Sequence, residues 1–136
     1  MRIFLDANIL FSAAKSDGAI RRLLALLREA GHECCVDGFV VEEARRNLAL
    51  KAPAGGAALV KLLAELYVAN VQPFNAAIDA QLPLPPKNRP VLAAAIRLRC
   101  DALVTGDRTH FGPLYGKVVR GVAVHSPQSI AELLLG

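Results

Sequence analysis

Three carboxylates and one amide stand where a chain of this pattern would carry reacting groups. Asp6 ends the apolar run "RIFLD", and Asp107 follows the apolar run in "DALVTGD". Both runs read as buried strands, and open parallel sheets gather functional groups at the carboxyl ends of their strands. Two carboxylates brought into one crevice repel each other. A hard cation such as Mg2+ or Mn2+, which prefers oxygen donors, relieves that repulsion. The helical stretch "VVEEARRNL" adds Glu42 and Glu43. Adjacent helical positions point about 100° apart, so only one of the two faces the crevice. Glu43 lies at the edge of the apolar face made by Val40, Val41, Ala44 and Leu48; Glu42 suits a solvent-side pairing with Arg45 or Arg46. Asn88, in "KNRP", offers an amide where a further carboxylate would complete the set.

Each of these groups also has a plainer use. Asp6 suits a cap on the turn that follows it, and Asp107 can bond its own backbone inside a loop. Asn88 before a first-turn Pro90 is a complete N-cap in its own right. Aspartate caps as well as asparagine does, so an Asp-to-Asn exchange keeps shape and capping while removing one negative charge.

The elements that must position these groups alternate along the chain. After the strand ending at Asp6, "SDGAIRRLLALLREAG" is an amphipathic helix with Ser16 or Asp17 as its cap. Ile20, Leu23, Leu24 and Leu27 form its apolar stripe, and Gly31 is its stop. "HECCVDG" reads as a strand, "FVVEEARRNLAL" as a helix ended by Pro53, "GGAALVKLLAELYVA" as a third helix, and "NVQPF" as a short strand or extended link. "AAIDAQL" forms a helical turn before the proline-rich "PLPPKNRP". The second half then gives a helix over "RPVLAAAIRLRC", a strand over "DALVT" and a loop over "GDRTHFGPLYGKVVRG". A strand over "VAVHS" and a closing helix over "PQSIAELLL" follow, with Pro127 in the helix's first turn. Such alternation predicts one α/β domain spanning 1–136: a three-layer αβα architecture with a mostly parallel central sheet.

The bulk properties agree. A chain of 136 residues can bury a core without disulfides, and its 54% hydrophobic content is largely Ala and Leu. No apolar run approaches the roughly 18 to 20 residues of a membrane span, so a soluble, cytoplasmic protein without membrane contact is expected. Cys34, Cys35 and Cys100 lack metal-ligand spacing and read as small buried apolar residues. The net charge of +4, with eleven arginines among sixteen basic residues, suits a polyanionic partner without demanding one.

The ordered set of motifs resembles the PIN domain, in particular the VapC-like toxins of bacterial toxin–antitoxin pairs. "FLDAN" is similar to that family's first motif, "VVEEARRNL" to its second, and "KNRPVLAAAIRLRCDALVTGD" to its third and fourth. The resemblance runs in order through essentially the whole chain and implies a PIN-like, Rossmann-like fold. It also implies hydrolysis of RNA phosphodiesters with Mg2+ or Mn2+ as cofactor, so the expected substrate is RNA. Residue by residue, Asp6, Glu43 and Asp107 would be the metal-site acids. Asn8 and Thr105 would be polar supports, with Arg108, Arg45 and Arg46 as candidate backbone contacts. A cognate antitoxin and a homodimer are the implied partners, and the apolar stripe "LVKLLAELYV" would serve either contact or the core. Asn88 stands where the resemblance places an aspartate. That departure reads as an introduced inactivating exchange, a natural site with weakened activity, or a silent relative that keeps only the fold and binds RNA or an antitoxin. His110 would touch phosphate or pack with Phe111.

Overall fold

The computed structural model of the chain describes residues 1–73 and 75–136. The extended link expected over "NVQPF" ends at Phe74, which lies outside the described residues. The chain runs β1 (Arg2–Leu5), α1 (Ala7–Lys15), α2 (Ala19–Glu29), β2 (Glu33–Asp37), α3 (Gly38–Lys51), α4 (Gly56–Ala64) and β3 (Tyr67–Ala69). It continues with α5 (Ala76–Asp79), α6 (Arg89–Arg97), β4 (Ala102–Val104), α7 (Arg108–Phe111), β5 (Val118–Val119), β6 (Val122–His125) and α8 (Pro127–Leu135). Single 3-10 turns cover Pro53–Gly55, Pro86–Asn88 and Gly112–Leu114.

Among the described residues the strands form one sheet in the order β3-β2-β1-β4-β6-β5, flanked by helices in three layers. Every neighbouring pair is parallel except β5 and β6, which run antiparallel at the edge. The strand reversal between β2 and β4 leaves β1 in the middle, with Phe4 facing Cys35 on one side and Leu103 on the other. Central parallel strands are covered on both faces, which is why Ile3, Phe4, Leu5, Ala102 and Leu103 are all fully buried. The three cysteines are free and buried, as small apolar residues should be.

Several expectations need correction. The stretch "ANILFSAAK", to which the sequence pattern assigns no element, forms α1, started by Asp6 accepting a hydrogen bond from the Ala7 amide. Its apolar face, including Ile9, Leu10, Ala13 and Ala14, packs against α2, α3 and α4. Helix α2 begins after Gly18, with neither Ser16 nor Asp17 supplying a capping bond. The third predicted helix stops at Ala64, and "YVA" becomes β3, because these β-branched and aromatic residues find a backbone partner in Cys35–Asp37. Helix α6 ends at Arg97, short of Cys100. The segment read as a loop after Gly106 contains α7 and the edge strand β5. The closing helix starts as expected: Ser126 and Ser129 form reciprocal capping bonds ahead of Pro127.

Gly55 marks the tightest approach in this packing. A Cβ there would stand 2.9 Å from both the Ala14 carbonyl oxygen and Leu48 Cδ2. Replacing Gly55 by Ala should therefore push α1 and α3 off the turn and destabilise the fold by about 1–3 kcal/mol. Urea unfolding checks this: a lowered midpoint at unchanged slope is the expected outcome.

Candidate active site

The carboxyl ends of β1 and β4 are joined side to side. The Asp6 amide donates to the Val104 carbonyl (3.0 Å), extending the β1–β4 ladder by one residue. Asp6 is thereby held at the sheet's rim while its side chain turns into the protein, leaving it 5% exposed. Its Oδ1 accepts from the Ala7 amide (2.7 Å), and its Oδ2 accepts from the Thr105 hydroxyl (2.8 Å) and from Asn8 Nδ2 (3.1 Å). Thr105 is fully buried and acts in both directions, since its oxygen also accepts from the Asp107 amide at 3.1 Å. Asn8 closes the loop by accepting from the Gly106 amide at 2.8 Å. A Cβ on Gly106 would come within 3.3 Å of that Asn8 oxygen, so glycine lets the two segments approach.

Asp6, Asn8, Glu43, Asn88, Gly106 and Asp107 line one cleft of about 320 Å³, together with Asn47 and Lys87. The four residues singled out as a set in the sequence do converge. Burial raises the Asp6 carboxyl above its ordinary range, and the neighbouring Asp107 charge adds to the rise, against the lowering effect of its hydrogen bonds. Glu43 is raised too, by burial first and then by Asp6, with Arg46 acting in the opposite sense. Asp107 is also partly desolvated, but its bonds with His110 prevail and hold its carboxyl low. His110 donates its backbone amide to Asp107 Oδ1 (3.1 Å), and its ring nitrogen lies 2.8 Å from Oδ2. His110 is therefore a partner of the acid.

Asn88 does not cap α6 with its side chain. A capping side chain needs an extended backbone, and Asn88 closes a 3-10 turn with helical angles (φ −98, ψ −15). Its Oδ1 is instead buried and without a hydrogen-bond partner among the described residues. An unpaired buried carbonyl is costly, and this one borders a cleft that holds three acids.

Arg108 is not among the cleft's lining residues, and Arg45 pairs with Glu42 on the solvent side at 3.9 Å. Glu42 is thus the surface partner its helical position implied. Sequence reasoning missed Lys87, Asn47 and Tyr115. Asn47 lies one helical turn beyond Glu43, and Lys87 precedes Asn88, so both were findable by position. Tyr115 carried no local signal; its hydroxyl donates to the Thr105 carbonyl at 2.7 Å and ties the end of β4 to the turn after α7.

The sequence matches the family profile of the PIN domain over residues 2–109, most of the chain. The chain belongs to the PIN-domain family. Nine solved chains share its fold. One is from the structure of VapBC2 of Rickettsia felis bound to a DNA fragment from their promoter. That chain is 14% identical, with a TM-score of 0.71, and the match covers 93% of this PIN domain and 98% of that chain. No curated protein matches it in sequence.

The acids lining the cleft of this PIN domain offer carboxylate oxygens, the ligands that Mg2+ and Mn2+ prefer. Among the described residues, no three of His, Cys, Asp and Glu are close enough to form a ready-made cation cage. The cleft's lining suits a divalent ion in donor chemistry, and the Asn88 amide stands beside its acids.

Asp6 links the site to stability. With its folded carboxyl raised, the native state holds a proton that the unfolded chain has already released. Stability therefore falls as pH rises from the ordinary aspartate range through the raised value. Asp6→Asn should flatten that part of the curve. Thr105→Val, which removes a hydroxyl bonded on both sides, should cost about 1–3 kcal/mol. Thermal melts of the three proteins across the acid-to-neutral range test both outcomes.

Proposed function

We propose that this PIN domain is built as a Mg2+- or Mn2+-dependent endoribonuclease, the toxin member of a toxin–antitoxin pair, and that Asn88 in the fourth acidic position weakens or silences it. The observation that carries this reading is the buried, partnerless Asn88 Oδ1 beside a cleft lined by Asp6, Glu43 and Asp107. A carboxylate at that position would have a cation to satisfy it; an amide leaves an acceptor unmet. Family membership supports the nuclease class, and the VapBC2 likeness prompts the toxin assignment.

The division of labour follows from the geometry. Asp6, locked by Ala7, Asn8 and Thr105, and Asp107, oriented by His110, would be metal ligands. Glu43, whose raised carboxyl lies nearer the range of a working base, would be a ligand or would orient and deprotonate the attacking water. A bound divalent ion would lower the pKa of water and stabilise charge developing on the phosphate. Asn8 and Thr105 hold Asp6 in place and reach no substrate themselves.

Restoration tests the reading. Asn88→Asp should tighten Mn2+ binding by roughly tenfold or more, because one more charged ligand joins the set. It should also produce metal-dependent RNA cleavage where the unsubstituted chain shows little. A restored protein that neither binds Mn2+ nor cuts RNA would sink the proposal. The second reading, a silent module that binds RNA or an antitoxin, rests on the same amide. Tight RNA binding by the unsubstituted chain, unchanged by EDTA, together with an inert Asn88→Asp protein, would favour it.

We extend two partners to this chain on the same basis, an antitoxin and a second copy. The stripe "LVKLLAELYV" divides between core and surface: Leu59 and Leu62 are buried, whereas Val60, Tyr67 and Val68 are exposed. Val60 borders an apolar groove of about 340 Å³ between α3 and α4, with Leu48, Leu59 and Leu63 on its walls. Among the described residues no helix is long and apolar enough to cross a membrane. A toxin acting on cellular RNA would work in the cytoplasm.

A further inference from the structure

We infer that Lys87 and Asn47 form the phosphate grip of the cleft, the groups that hold the RNA backbone against the acids. The inference rests on the ribonuclease reading and adds to it the residues that position the substrate. A phosphodiester carries a negative charge, and the Asp6, Glu43 and Asp107 wall repels it. Some donor on the same cleft must offset that repulsion before any chemistry begins.

The polar groups of the cleft can be divided by whether their hydrogen-bonding capacity is already used. Asn8 is committed: its amide donates to Asp6 and Thr105 and its oxygen accepts from Gly106. Asp107 is engaged on both oxygens by His110. Asn47, half-buried on α3, makes no side-chain hydrogen bond among the described residues, and its amide carries two donors. Lys87 is exposed at the end of the cleft formed by the Pro86–Asn88 turn, and it pairs with none of the carboxylates beside it among the described residues.

Five of the arginines are committed to other partners. Arg2, Arg28, Arg45 and Arg97 are paired with Glu33, Glu65, Glu42 and Asp79. Arg89 donates to the Leu84 carbonyl at 2.8 Å. Lys87 is the one cationic side chain lining the acidic cleft among the described residues. A lysine ammonium on a flexible stem suits this use, since it meets phosphate as a point charge and needs no fixed fork geometry. Asn47 and Lys87 come from separate elements, α3 and the turn before α6, so together they can engage one backbone from two walls of the cleft.

The test is fluorescence anisotropy of a labelled single-stranded RNA, in EDTA, across a salt series. Lys87→Gln should weaken binding about tenfold, the loss of one charge-assisted hydrogen bond, and reduce the salt slope by about 0.7. Lys87→Arg should keep the slope. Asn47→Ala should weaken binding about threefold with the slope unchanged, because a neutral donor releases no counterion. In the Asn88→Asp background, Lys87→Gln should raise KM far more than it lowers kcat. Mn2+ affinity should stay level or tighten, since a nearby positive charge is gone. An unchanged affinity and slope in Lys87→Gln, with Asn88→Asp cutting RNA, overturns the grip and leaves the ribonuclease reading standing. No RNA binding by the unsubstituted chain, together with an Asn88→Asp protein that neither binds Mn2+ nor cuts RNA, overturns both.

Discussion

The site depends on keeping a carboxylate buried at the end of the central strand. Asp6 sits where β1 runs out between β2 and β4, almost without solvent, and three donors from three residues satisfy it. Removing an acid from water is unfavourable unless it is hydrogen-bonded or neutralised, and here the hydrogen bonds also fix geometry. Thr105 is the hinge of this arrangement, since one hydroxyl donates to Asp6 and accepts from the Asp107 amide. The two acids that lie about a hundred positions apart in sequence are thus registered through a single oxygen.

Around this bond the parallel sheet acts as a ruler. The β1–β4 register, continued by the Asp6 amide on the Val104 carbonyl, sets the ends of the two strands level. Tyr115 pins the Thr105 carbonyl from outside, and α3, following directly from β2, carries Glu43 and Asn47 to the same rim. The turn over Pro86–Asn88, just before α6, delivers Lys87 and Asn88. What results is a cleft with acids at its floor and unused donors on its walls.

Asn88 shows how a local signal and a tertiary one can disagree. Beside Pro90 it had every attribute of an N-cap, and α6 does begin next to it. The prolines before it, however, wind the chain into a 3-10 turn, so its backbone is already helical and its side chain cannot fold back on the helix amides. The amide is turned instead to a place where its oxygen has no partner. Its value as a pointer to function comes from that misfit, which no propensity table records.

Read alone, the sequence determined the layered architecture, the two strand-end aspartates and Glu43 over Glu42. These follow from hydrophobic periodicity and strand-end chemistry, which are local or depend on simple repeats. Only the tertiary structure decided which polar groups were free. Asn8 was spent on support, Arg108 lay off the cleft, His110 was bound to Asp107, and Lys87 and Asn47 were left open. It also decided that "ANILFSAAK" would be a helix, packed on α2, α3 and α4, and "YVA" a strand, paired with Cys35–Asp37. Hydrogen-bond commitment is a property of pairs, and pairs between distant segments exist only once the sheet has set their register.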